Sequence, residues 1–151
     1  MSYIPKYILK RIIPKDALKN VDINGDGNID GVMLTYVNVL APMKIEEDFD
    51  EDDLKKQFED ADILIDGKKQ DINSMALYMR GRRITTQNIA DLRGIEVPVG
   101  GKIFIYCPMP GGLDAGSHVL KIKTVYRDQV NEIELKRELA DQPFSLSELE
   151  I

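Results

Sequence analysis

The stretch DINGDGNIDGVM, residues 22–33, carries the side-chain oxygens of a calcium loop. In a twelve-residue EF-hand register, Asp22, Asn24 and Asp26 take positions 1, 3 and 5, Gly27 takes position 6 and Asp30 position 9. Hard oxygens at alternate positions of a glycine-bent loop suit a calcium ion, which wants six to eight such ligands. Position 12 should supply a bidentate carboxylate, and there the chain has Met33. A strand-like run follows the loop where an EF-hand needs a helix. Asp, Asn and Gly also tolerate left-handed backbone, so the same residues suit a long hairpin connection. A connection is the expectation, and a weak calcium loop outside a helix-loop-helix setting is the alternative.

Other candidate chemistry is sparse. His118 is the only histidine, so a two-histidine metal site cannot form. It opens an alternating run just after the glycine-rich PGGLDAG, and the expectation is a structural imidazole that fixes a turn built on Gly111, Gly112 and Gly116. PGGLDAG is not a phosphate loop, because it lacks the Gly-Lys-Ser/Thr ending and precedes a strand. Cys107, the only cysteine, ends an apolar run and reads as a buried thiol rather than a nucleophile. No Ser-His-Asp set, zinc spacing or paired-carboxylate motif stands out. The chain is therefore not expected to be catalytic alone or to hold a metal. Arg80, Arg82 and Arg83 form a basic cluster in MRGRR, suited to an exposed loop or to docking on an acidic partner.

These residues need a scaffold, and 151 residues suffice for one domain with a real core. Hydrophobic residues at 43% and charged ones at 30% give a globular balance. The net charge of -6 disfavours nucleic acid, whose phosphates need clustered cations. A single cysteine rules out an internal disulfide framework, and no run is apolar and long enough to cross a bilayer; a soluble, cytoplasmic protein is expected.

Residues 32–40, VMLTYVNVL, read as a strand buried on both faces. The acidic run 44–61 reads as a solvated loop or short helix with Phe49, Leu54 and Phe58 along one side. ILIDGKK reads as a strand turning at Asp66-Gly67, and ITTQNIADLRG as a turn or two of helix capped by Thr85 or Thr86 and stopped by Gly94. KIFIYCPMP (102–110) and HVLKIKTVYRD (118–128) read as strands, the second with one wet face. The sum is a mainly β chain: an antiparallel β-sandwich of immunoglobulin-like character, with little helix. The tail 129–151 reads as an extension. Its apolar Phe144, Leu146, Leu149 and Ile151 are too many to fold back on so small a domain, so it is expected to pack on a partner, as is the arginine cluster.

The stretch VPVGGKIFIYCPMPGGLDAGSHVLKI combines a strand, Pro-Gly-Gly-Leu (110–113), Gly116, His118 and a second strand. Upstream stand ILIDG (63–67) and KNV…DGNIDGVML. Together, over roughly residues 12–128, these resemble the small β subunit of bacterial C-glycoside deglycosidases. The acidic segment 46–60 departs from that pattern: it lacks the expected tyrosine-arginine-glycine element, which only YMRGRR (78–83) resembles. The resemblance implies a β-sandwich paired with a larger TIM-barrel α subunit of sugar-isomerase type. That partner would carry a divalent metal, manganese, and the catalytic residues. The complex would cleave the carbon–carbon bond joining a 3-oxo sugar to a flavonoid aglycone. The competing reading is a stand-alone carbohydrate- or calcium-binding sandwich. The absence of tryptophan weakens its sugar-binding form, while six tyrosines leave it open.

Overall fold

A computed structural model describes residues 6–39, 41–126 and 129–150. The chain is mainly β, with eleven strands and two α-helices among the described residues, all strand pairs antiparallel. The five-stranded sheet takes β1 (Leu18–Val21), β2 (Gly31–Val37), β9 (Lys102–Pro108), β6 (Ala76–Met79) and β7 (Arg82–Ile84) in that spatial order. The four-stranded sheet takes β11 (Gln129–Glu138), β10 (Ser117–Tyr126), β4 (Asp62–Ile65) and β5 (Lys68–Lys69). A ribbon of β3 (Met43–Lys44) and β8 (Glu96–Val97) stands beside them. No helix of the described residues is long and apolar enough to cross a membrane.

Strand alternation explains the layering. Along β2, Val32 and Leu34 face one cluster while Met33 faces another; along β9, Ile105 and Cys107 alternate with Phe104 and Tyr106 in the same way. The first cluster joins the two sheets as a sandwich, adding Ile63, Ile65 and Leu120 from the four-stranded sheet. The second lies on the opposite face of the five-stranded sheet. β2 is thus buried on both faces, as its composition requires. It stops at Val37 because Asn38 turns the chain: its amide nitrogen donates to Ala41 O (2.7 Å) and Val97 O (3.1 Å).

Helix α1 (Lys6–Ile12) was not foreseen in the N-terminal stretch; Ile12 and the following Ile13 are buried in the first cluster. Helix α2 (Glu51–Asp60) forms from the acidic run. The Asp50 carboxylate caps it by accepting from Asp52 N (3.0 Å) and Asp53 N (3.4 Å), and its acidic first turn faces the positive helix end. Phe49, Leu54 and Phe58 pack on a third cluster with Ile84, Ile89 and Leu92, the one-sided arrangement their spacing indicated. The turn or two of helix expected across 84–94 is a single 3₁₀ turn, Ile89–Leu92. Neither threonine caps it. Instead Asn88 Oδ1 accepts from Thr85 N (2.6 Å) and Thr85 Oγ1 (3.0 Å), drawing the segment into a tighter turn.

The tail departs from its expectation. β11 pairs with β10 from Ser117↔Glu138 to Tyr126↔Gln129, so residues 129–138 are integral sheet. Beyond it, Ala140 N donates to Leu18 O (2.9 Å) and Phe144 N to Asn20 O (2.7 Å), laying the chain along the free edge of β1. Phe144 is buried in the second cluster, edge-on to Phe104 at 5.1 Å, and Leu149 packs against the same cluster. Phe144 is thus an anchor of this chain's own core, and only Leu146 of these three keeps an exposed side chain. Ile151 lies outside the described residues.

Candidate functional site

Three segments meet at one end of the sandwich: the β1–β2 connection, the β4–β5 turn and the Pro110–Gly116 loop. Each is held to the next by side chains.

In the β1–β2 connection the carboxylates cap backbone N–H groups. Asp22 Oδ1 accepts from Gly25 N (3.0 Å) and Asp26 N (3.2 Å), and Oδ2 from Gly27 N (2.7 Å). Asp30 reaches back to Ile23 N through both oxygens (3.1 Å) and accepts from the Tyr106 hydroxyl at 3.0 Å. Burial, then the Asp30 hydrogen bond and charge, push the Tyr106 phenol up to about 12, so it stays a donor. Gly31 has no room for a side chain: a Cβ there would stand 2.5 Å from the Tyr106 ring. Met33, at the position where a carboxylate would complete a calcium loop, is buried in the second cluster. The segment is therefore a capped connection between paired strands. Asp22, Asn24, Asp26 and Asp30 remain its side-chain oxygens at positions 1, 3, 5 and 9 of the calcium-loop register.

The Pro110–Gly116 loop lies on this connection. Met109 N donates to Asp30 O (2.9 Å) and Gly111 N to Ile29 O (3.0 Å). Asn20 then reads the loop backbone twice: its amide donates to Leu113 O (3.0 Å) and its oxygen accepts from Leu113 N (2.8 Å). Gly112, at φ +70°, is packed so closely that a Cβ would collide with the Asn20 side chain.

His118 closes the arrangement. Its Nδ1 lies 2.5 Å from Asp66 Oδ2, and its Nε2 is 2.7 Å from Asp114 O, which can only accept. Asp66 occupies a left-handed turn (φ 53°) with Gly67 (φ 81°), and its second oxygen accepts from Val119 N at 2.9 Å. Burial alone would depress the imidazole's pKa, but the Asp66 hydrogen bond, the Asp114 carbonyl and the nearby carboxylates outweigh it and raise it. The His118 hydrogen bond and the Val119 amide hold Asp66 below its ordinary value. The pair is an imidazolium–carboxylate clasp with both ring nitrogens engaged. Cys107 is buried, and burial pushes its thiol up to about 12, far from a nucleophilic thiolate.

The arginine cluster lies elsewhere. Arg80 (φ 52°) and Gly81 (φ 77°) form the tip of the β6–β7 hairpin, beside the Lys102 end of β9, whereas Pro110 follows its other end. Arg80, Arg82 and Arg83 are exposed, and Arg82 Nη1 donates to Asp91 O at 3.0 Å. The structure thus joins Gly111, Gly112, Gly116 and His118 with Asn20, Asp30 and Asp66, and leaves the arginines and Leu146 apart from them. Sequence reading missed Asn20 and Asp114 as partners, because Asn20 contacts loop backbone and Asp114 acts through its own backbone carbonyl. Asp66 carried a signal, the Asp-Gly turn, but not its partner.

No family model matches the chain, and no curated protein matches it.

Proposed function

We propose that this chain is the non-catalytic small subunit of an intracellular heteromeric carbon–carbon lyase acting on 3-oxo-C-glycosides, flavonoid C-glucosides among them. The observation that carries the reading is the meeting of three separated segments. KNV…DGNIDGVML, ILIDG and PGGLDAGSH, which carry the resemblance to C-glycoside deglycosidase small subunits, are clasped into one surface by Asn20–Leu113 and Asp66–His118. A motif spread over the chain gains meaning when its pieces touch. The histidine and the cysteine are both engaged in structure, which fits a chain that leaves proton transfer to a partner. The larger TIM-barrel subunit would carry the divalent metal, manganese, and the acid–base residues. A ketone at sugar C3 makes the C2 proton acidic, and its removal allows the aglycone to leave. This chain would stabilise that subunit and form one wall of its cleft, with the Arg80–Arg83 hairpin and Leu146 as exposed contacts.

The test is reconstitution with the isomerase-like partner. Alone, the chain should be inactive on 3-oxo-C-glycosides; co-expressed, it should co-elute and the complex should cleave. Activity from the isolated chain, or a monomer indifferent to that partner, overturns the reading. The calcium-register oxygens of residues 22–30 favour a second reading, a stand-alone calcium-binding sandwich. A calcium-dependent rise in melting temperature, lost in Asp26→Ala, would select it.

A further inference from the structure

Protein interiors leave few voids larger than a water molecule. Between the two sheets, however, lies a half-open cavity of about 360 Å³. Its walls are Tyr36 and Ile103 from the five-stranded sheet, Ile63 and Ile122 from the four-stranded sheet, and Phe58 and Ala61 at the end of α2. That size falls in the range of small-molecule sites, roughly 300–1,000 Å³, and the walls are predominantly apolar as such sites require. It sits where the first and third clusters diverge, so neither fills it.

The polar groups around the cavity restrict what fits. Thr85 and Thr86 also border it, but their hydroxyls are engaged with Asn88 Oδ1 (3.0 Å) and Asn73 Oδ1 (3.1 Å). Lys123 is the only cationic lining residue among the described residues, and strand alternation turns it away from the side on which Ile122 packs into the core. Acidic Asp60 flanks Ala61 on one side, while Asp62 on the other is paired with Lys69 Nζ at 2.9 Å, so it is the apolar walls that disfavour a charged guest. Gln57 of α2 also lines the cavity, and its side-chain amide makes no hydrogen bond with any described residue. Tyr36 shares the inward face of β2 with Val32 and Leu34, and its hydroxyl likewise makes no hydrogen bond with any described residue. Burial raises its pKa, with no hydrogen-bond partner contributing, so the phenol stays protonated and able to donate.

We infer that this cavity is a binding site for a small, neutral, mainly apolar ring compound bearing one hydrogen-bonding oxygen, which Tyr36 receives. The site stands independently of the subunit reading, since it lies within this chain's own sandwich. Three probes of one size separate its elements: 1-naphthol, naphthalene and 1-naphthoate, titrated into the full chain and followed by probe fluorescence, which no tryptophan obscures. Wild type should bind 1-naphthol most tightly and 1-naphthoate at least about tenfold more weakly, as a buried unpaired charge demands. Tyr36→Phe should weaken 1-naphthol about three- to tenfold, the range of one hydrogen bond, and leave naphthalene unchanged. Ala61→Phe should fill the space and abolish both while thermal melting stays near wild type. No binding of any probe by wild type overturns the inference, as does binding that survives Ala61→Phe. Equal affinity for naphthoate and naphthol overturns the neutral ligand. A dimer in sedimentation that Ala61→Phe dissociates would identify a second copy as the occupant and also overturn it.

Discussion

His118 is the only imidazole in the chain, and both of its ring nitrogens are engaged. One ring nitrogen faces a carboxylate and the other a carbonyl, so the charged form satisfies both neighbours. The raised histidine pKa contributes stability that is complete below the ordinary value of 6.5 and lost as pH rises through the raised folded value. The lowered Asp66 pKa contributes stability present above its ordinary 3.8 and lost as pH falls through the depressed folded value. The clasp is therefore strongest between these two ordinary values and weakens on the alkaline side through His118 and on the acid side through Asp66. Urea denaturation across pH should show His118→Ala costing about 1–3 kcal/mol near pH 6 and distinctly less well above His118's folded pKa. If the chain works in the proposed complex, turnover there should fall little once unfolding is allowed for. A mutant cost that does not change with pH would refute the charged clasp; a loss of several orders in turnover at unchanged stability would make His118 catalytic. That this residue packs against the glycine-rich loop was legible from its place directly after it. Asp66 as partner was not, because fifty-two positions separate the two and only the β4–β10 register brings them together.

At the scale of elements, sequence patterns identified what depends on local alternation and missed what depends on distant pairing. β2, β9, β10 and the β4–β5 turn were readable because branched apolar residues and an Asp-Gly pair encode them within a few positions. α1 was obscured by scattered charges, although Ile12 and Ile13 bury completely. Around β11 the local pattern points both ways, Ile133 and Leu135 alternating as in a strand while Leu135 and Leu139 are spaced as in a helix, and pairing with β10 decides it. The tail was misjudged because nothing local shows that β1 has an open edge beside it. Phe144→Ala tests its role as an anchor: the loss of a buried aromatic should cost about 3–5 kcal/mol in denaturant unfolding of the chain alone. A cost below about 1 kcal/mol would return Phe144 to the surface. The β1–β2 connection makes the opposite prediction. With its carboxylates capping backbone amides and Met33 in the core, a few millimolar calcium should leave thermal melting nearly unchanged, and a large rise would reverse that assignment. Gly112→Ala should destabilise markedly in thermal melts, because it adds a left-handed strain and collisions with Asn20 and Ile29; melting near wild type would refute the close packing.

For the whole molecule, the two exposed features of the partner reading lie on different elements, the β6–β7 hairpin and the last turn. If both contact one larger subunit, the buried surface should exceed about 1,600 Å². Arg80→Glu and Leu146→Glu should then each weaken co-elution with that subunit while leaving the chain's own melting within about 0.5 kcal/mol of wild type. Retention of full complex by the double variant would move the interface to another face. The fold class was readable from the frequency of short strands and turns, but the arrangement of the sheets was not. It rests on β9 inserting between β2 and β6, a long-range choice no short window encodes.

The seal that residues 140–144 place along β1 also sets a schedule. β1 leaves the ribosome some hundred and twenty residues ahead of the partners of its outer hydrogen-bonding row (Leu18 with Ala140, Asn20 with Phe144). Until then a nascent chain presents an open strand edge of the kind that recruits other chains. Closing so long a loop is entropically slow, so the final step of folding should be this docking, and chaperone dependence or aggregation during synthesis should concentrate in the interval before it.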